Sequence, residues 1–262
     1  QPTPKSREKI TQITFETFSD PAYFLKPSQS LSLYSAGINT GVVVDVGENI
    51  IHIVPIENGK IISDAVVNLQ LGGGDITNYL STLLQKNGIE IDNKFCNKIK
   101  EKFAYVSKNC RQEIDVAKFS YTLEKDFTLK DGKEFSMSIE RFQCAEILFQ
   151  PNLIGESSRG IHELVCESVA RIENNLQKQM YGNIVVSGGT SLLPGFVERL
   201  KDGILAHTNE IVKIIAPKNR NISAWYGASK LCTGASFEEC WVSKEEYDEY
   251  GPTIVHKKCP YQ

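Results

Sequence analysis

The sequence predicts a mixed α/β protein, and three observations carry that reading. Residues 40–62 alternate short apolar runs with tight turns. From Asp75 onward Ile76, Tyr79, Leu80, Leu83 and Leu84 recur at helical spacing. The apolar stretch 183–187 breaks at Gly188-Gly189 and runs into another helical pattern. Hairpins together with strand-to-helix crossovers place helices against a sheet.

Along the chain, residues 5–12 read as a short helix and 13–18 as a strand. Residues 21–36 read as helical, with Pro27 kinking that helix or delaying its start. Val42-Val43-Val44 is a core strand, 46–49 a turn, 50–55 a second strand, and 57–60 a turn into Ile61-Ile62. A helix is expected over 97–106, with Ile99, Phe103 and Val106 on one face. Strand-like sequence covers 119–139, turning at Asp131-Gly132. Helices are expected over 158–174, 195–206 and 223–231, and a strand over 212–216.

Composition narrows the class. Hydrophobic residues at 41% and charged residues at 23% suit a folded globular chain, not a disordered one. With 29 Lys+Arg against 32 Asp+Glu, the net charge of −3 creates no overall field for nucleic acid or an anionic membrane. No apolar run approaches the ~18 residues of a membrane span, and the opening Gln1-Pro2-Thr3-Pro4-Lys5 lacks a signal-peptide core. The seven Cys include no Cys-x-x-Cys pair, so free thiols in a reducing compartment are expected. Near the end and beside Lys257 and Lys258, Cys259 is expected to be the most reactive thiol.

Several clusters could carry chemistry. Asp45-Val46-Gly47-Glu48-Asn49 ends a strand in a carboxylate and a turn. If Gly47 and Asn49 take positive φ, backbone N–H groups face an anion and Asp45 can hold the water shell of a bound Mg²⁺. Taken alone, a plain hairpin turn between two core strands is the commoner meaning of such a stretch. Gly188-Gly189-Thr190 lets a ligand approach the backbone before a helix, or is a structural turn. Lys100-Glu101 suits phosphate or ring contact beside a ribose carboxylate, or is a solvated helix face. His52 could polarise a water, or be structural. The acidic run 245–249 reads as a solvated helix face.

Taken together these residues resemble the actin family. The strongest stretch is Trp241-Val242-Ser243-Lys244-Glu245-Glu246-Tyr247-Asp248-Glu249 with Gly251-Pro252 and Ile254-Val255-His256-Lys257-Lys258-Cys259. Arg7-Glu8-Lys9, Phe15-Glu16-Thr17-Phe18, Leu31-Ser32-Leu33-Tyr34, Phe149-Gln150-Pro151, Gly160-Ile161-His162-Glu163 and Ser187-Gly188-Gly189-Thr190 match in the same order. The resemblance implies an actin/Hsp70-like ATPase fold, present in part. The matched residues correspond to the later two-thirds of an actin, without the family's first phosphate loop. Residues 1–35 and 223–262 would belong to the first subdomain, 36–71 and 157–222 to the third, and 72–156 to the fourth.

The resemblance also implies ATP or ADP with Mg²⁺ or Ca²⁺ as cofactors. Asp45 (also the metal residue), Gly47, Glu48 and Asn49 fall on the second phosphate loop. Lys100 and Glu101 meet base and ribose, and Gly188, Gly189, Thr190, Leu193 and Asn221 surround the adenosine. His52 falls on the histidine that orders the attacking water, and Ser28 stands where the family has a water-orienting glutamine, with Gln29 one step out of register. Asn49 replaces a glycine, Val46 a hydroxyl residue, Leu193 a tyrosine and Asn221 a lysine. Implied partners are further copies, in filaments, and actin-binding proteins at a cleft of Tyr34, Gly37, Tyr226, Lys230, Leu231 and Gly234. Lys230, Gly234 and Cys240 stand where conventional actins are apolar. A cytoplasmic, cytoskeletal location follows, or a nuclear one for an actin-related protein. The alternatives are a non-hydrolysing scaffold subunit of a dynein-adaptor or chromatin complex, and a sugar-kinase-like phosphotransferase. The actin-like C-terminus speaks against the latter.

Overall fold

The computed structural model describes residues 3–128, 132–234 and 237–260. Helix α1 (Pro4–Glu16) opens on a proline, which needs no N–H there, and Thr3 caps it by accepting from the Ser6 N–H. It runs through the segment expected to be a strand at 13–18. Arg7, Thr11 and Phe15, four residues apart, form its buried face. The stretch expected to be helical from 21 to 36 divides into β1 (Ala22–Tyr23) and α2 (Ser28–Ser35). Pro27 delays the start: it is the N-cap of α2, and its carbonyl accepts from the Leu31 N–H.

The meander forms as read, with β2 (Gly41–Val46), β3 (Ile51–Glu57) and β4 (Lys60–Ile61), and a further strand, β5 (Val67–Leu69), that the sequence reading did not include joins it. Asn58 and Gly59 both take positive φ, as a tight two-residue hairpin requires. The next elements are α3 (Gly73–Lys86), α4 (Asn93–Phe103) and α5 (Cys110–Ala117). The side chain of Asp92 caps α4 by accepting from Phe95, so this helix starts before 97. It ends before Val106, whose N–H bonds to Pro194 O instead. Among the described residues of the region expected to be strand-like, β6 (Lys125–Thr128) and β7 (Glu134–Met137) pair, while Phe119 and Tyr121 are exposed. Gly132 of the expected turn has φ +85, and Asp131 lies outside the described residues.

Helix α6 (Glu140–Glu146) follows. The single helix expected over 158–174 is α7 (Ile161–Ala170), and a separate α8 (Asn174–Gly182) leads into β8 (Ile184–Ser187). Next come α9 (Phe196–Leu205), β9 (Ile214–Ile215), shorter than expected, and α10 (Ser223–Cys232). The chain closes with β10 (Val242–Ser243), α11 (Lys244–Tyr250) and α12 (Ile254–Lys258).

The main sheet has the order β4-β3-β2-β8-β9, with β5 also on β3. Its left part is antiparallel, whereas β2, β8 and β9 are parallel. Strand periodicity explains the unbroken apolar run in β2. Val42, Val44 and Val46 enter the large core, and Val43 enters a second core with Leu33 of α2. The chain ends form a third cluster. Phe15 stacks on Tyr247 at 4.6 Å, with Val242, Ile254, Val255 and Cys259 around them.

Cys259 is therefore buried, not the exposed thiol expected. Its Sγ accepts from the Leu25 N–H, Arg7 donates to its carbonyl, and burial pushes its thiol up. Lys257 and Lys258 lie on the preceding turn without exposing it.

Candidate functional site

Strand register builds the floor of the site. Ser187 of β8 pairs with Asp45 of β2, Asp45 with His52 of β3, and His52 with Asn68 of β5. Directly opposed residues share a face, so these four polar side chains form one row across the sheet. Ser187 Oγ donates to Asp45 Oδ1 at 2.9 Å, and Gln29 Nε2, from α2, donates to Asp45 Oδ2 at 3.1 Å. His52 Nδ1 lies 2.6 Å from Asn68 Oδ1. A cavity of about 380 Å³ beside the row is lined by Lys26, Ser28, Gln29, His52 and Asn68 among others.

Three loops close over the ends of β2 and β8. In the 47–50 turn the Gly47 N–H bonds to Ile50 O. Neither Gly47 nor Asn49 takes positive φ, contrary to expectation, because this bond closes the turn with ordinary backbone angles. Glu48 and Asn49 are exposed in it. The second loop is Gly72-Gly73-Gly74, at the start of α3. The Gly73 and Gly74 N–H groups bond to Gly47 O and Glu48 O. A Cβ on Gly72 would lie 2.3 Å from Glu48 O, so only glycine allows this approach. The third loop carries Gly188, with φ +91, where a Cβ would meet Val46 O at 2.2 Å. Thr190 Oγ1 donates to Gly47 O at 2.9 Å and ties the third loop to the first. Arg220 fastens it from behind. Its guanidinium donates to Ser191 O, and its own carbonyl accepts from the Gly188 N–H. Partial burial pulls the Arg220 pKa down.

Between these loops and α4 lies a cavity of about 570 Å³, lined by Glu48, Lys100, Glu101, Gly189, Thr190, Leu192, Leu193, Pro194 and Asn221. Lys100 is buried. Its ammonium donates to Gly73 O at 2.7 Å and lies 4.0 Å from Glu48. Asn97 Nδ2 donates to Glu101 Oε1 at 2.9 Å. The expected residues thus divide into two groups. Glu48, Lys100, Glu101, Gly189, Thr190, Leu193 and Asn221 share the larger cavity, whereas Ser28 and His52 line the smaller one. Gly47 and Gly188 act through the backbone, and Asn49 lines neither cavity.

Sequence reading missed Asn68, Arg220 and the 72–74 glycines, and placed Gln29 only as one step out of register. Three glycines before the capping carboxylate of Asp75, which accepts from the Gly72 N–H, are a legible signal. Asn68 and Arg220 carry none without the strand register.

At the expected partner cleft, Tyr34, Gly37 and Lys230 line a cavity of about 560 Å³ together with Asn39, Gln179 and Asn183. Lys230 Nζ donates to Ser35 O and lies 5.1 Å from the Tyr226 ring centre. Leu231 and Gly234 are not part of that lining.

The family model described as Actin matches residues 1–96 and 92–260. The chain belongs to the actin family. The mixed sheet and its helices fit the actin/Hsp70-like ATPase fold. Actin-family sites pair a nucleotide with a divalent cation, and here Asp45 is the one carboxylate in the polar row. Both its oxygens already accept from Ser187 and Gln29. Among the described residues no group of three or more His, Cys, Asp or Glu could hold a metal. A single carboxylate at the strand end fits a hydrated divalent cation carried by nucleotide phosphates. Among the described residues no helix is long and apolar enough to cross a membrane.

Proposed function

We propose that this actin-like chain supplies the adenosine contacts and the second phosphate turn of an ATP·Mg²⁺ site, and that the protein assembles into filaments or larger complexes. The observation that carries the reading is the 570 Å³ cavity, which gathers Glu48, Lys100, Glu101, Thr190 and Asn221 from four separate segments. Adenine and ribose would lie against Leu193, Lys100 and Glu101, with the phosphates at the exposed Glu48-Asn49 turn. Asp45 would hold the hydrated cation, which neutralises phosphate charge when bound. Hydrolysis is slow in this reading, and it needs the further phosphate contacts of the family's N-terminal portion. Those contacts are charge-assisted hydrogen bonds worth roughly 1.5–3 kcal/mol each. Isothermal calorimetry with Mg-ATP tests this on the 262-residue chain and on the intact native protein. Weak or absent binding is expected for the chain and clear binding for the intact protein. Absence of binding in the intact protein overturns the reading.

The scaffold reading, in which nucleotide is bound without turnover, draws support from Ser28 and from the cleft. The serine side chain is short, and the neighbouring Gln29 amide is engaged on Asp45. Lys230 makes the partner cleft polar. Single-turnover phosphate release from the intact protein is expected to be slower than in a conventional actin. Ser28→Gln alone is expected to leave it slow, because Pro27 caps the helix there and Gln29 keeps its place. A full gain in that variant refutes this account of the slow rate. Pelleting at high protein concentration separates a filament former from a scaffold subunit. A cytoskeletal location in the cytoplasm goes with the first reading and a nuclear one with an actin-related subunit.

A further inference from the structure

We infer that Asn68 is a positioning residue that holds the His52 imidazole in one tautomer, with the proton on Nδ1 and a bare Nε2. The inference rests on the proposed reading of His52 as the group that acts on a water beside the terminal phosphate.

Asn68 lies directly opposite His52 in the β3–β5 ladder, and Asp45 lies opposite His52 on the other side. The Nδ1 to Oδ1 separation is 2.6 Å. A carboxamide oxygen only accepts, so the ring nitrogen facing it must donate. In a neutral imidazole the second nitrogen is then an acceptor, and the hydrogen bond made by one nitrogen decides the state of the other. Asp45 is the other acceptor across the strand, but the ring nitrogen's hydrogen bond is made to Asn68, while Asp45 accepts from Ser187 and Gln29. The charged side chains lining the ring's cavity, Arg7 and Lys26, are cations and offer no acceptor. Asparagine is also a poor strand former. Its place in the three-residue β5 has no packing reason, because the side chain is exposed. A bare Nε2 is the state a general base needs to take a proton from water.

The test is the imidazole ¹⁵N spectrum of His52 at a pH where the ring is neutral, in wild type, Asn68→Leu and Asn68→Asp. Protonated and bare ring nitrogens are well separated in ¹⁵N shift. Wild type is expected to show Nδ1–H. Asn68→Leu, which cannot accept, is expected to move the ring towards Nε2–H. Asn68→Asp, which only accepts, is expected to restore Nδ1–H. A wild-type Nε2–H ring, or a Leu variant that keeps the wild-type tautomer, overturns the inference. If the Leu variant does not fold, the Asp variant decides, and loss of Nδ1–H there overturns it. Mg-ATP calorimetry on the same wild-type protein tests the underlying reading separately. A missing nucleotide site would remove the proposed function while the tautomer pattern still stood.

Discussion

The sheet centre and the cluster of chain ends solve the same burial problem in different ways. Around β2 and β8 both sheet faces are covered, and the polar groups at the strand ends are tied to one another through backbone carbonyls and paired side chains. The end cluster joins residues more than two hundred positions apart, yet it rests on a few side chains around Phe15 and Tyr247 and on a two-stranded ribbon of β1 and β10. The difference teaches where precision is held. The polar row of Ser187, Asp45, His52 and Asn68 sits on strands that cannot shift without breaking a core, whereas the smaller end cluster is expected to open more readily.

The largest expected effect lies on the sheet side. Arg199 Nη2 donates to Glu146 Oε1 at 3.0 Å, and Glu146 is 1% exposed, with burial raising its pKa and Arg199 lowering it. Arg199→Met leaves that buried carboxylate without its cation, the Gln150 amide still donating to it, and should cost about 3–5 kcal/mol at neutral pH. In the variant the folded-state pKa of Glu146 rises further above the unfolded 4.5. The native state then binds more protons, so the deficit should shrink as pH falls from 7 towards 5. Denaturant titration at the two pH values checks both parts, and a pH-independent deficit would show that charge is not the cause.

The end cluster gives the sharper comparison. Phe15→Ala should cost about 3 kcal/mol locally by opening a cavity against Tyr247. Hydrogen-exchange protection in α1 and α11 should fall while β2 and β8 keep theirs. Equal loss in both regions would mean that the two cores unfold as one. Gly188→Ala comes next. Positive φ alone costs about 1–3 kcal/mol, and the new methyl would meet a backbone carbonyl that cannot turn aside. Reduced thermal stability with loss of any Mg-ATP binding is expected, and an unaffected protein would show that the loop has slack. The smallest effect is chemical. Limiting maleimide should label exposed Cys232 and Cys240 before buried Cys259. Peptide mapping decides, and early Cys259 labelling would mean that the end cluster already opens freely.

Much of the sheet was readable because its signals are local. Asn58-Gly59 dictates a tight turn, the apolar run Val42-Val43-Val44 reports two buried faces, and Gly188-Gly189 marks a strand end where backbones approach. The helical reading of 21–36 and the strand at 13–18 failed for an opposite reason. There the local pattern is ambiguous, and contacts with residues 242–259 select the outcome. Cys259 shows the same limit, since nearness to the end of a sequence says nothing about what packs over it.

By itself the sequence determined the α/β class and the turns of the meander, because turn chemistry and side-chain periodicity act over a few residues, while the residues expected at the larger cavity came from the resemblance to the family. Only the tertiary structure decided that Gln29, not Ser28, reaches Asp45. Only it set His52 against Asn68, spent Lys100 on a glycine carbonyl and buried Cys259. Each of these depends on strand pairing or packing between distant segments, and those contacts leave no spacing pattern in the chain.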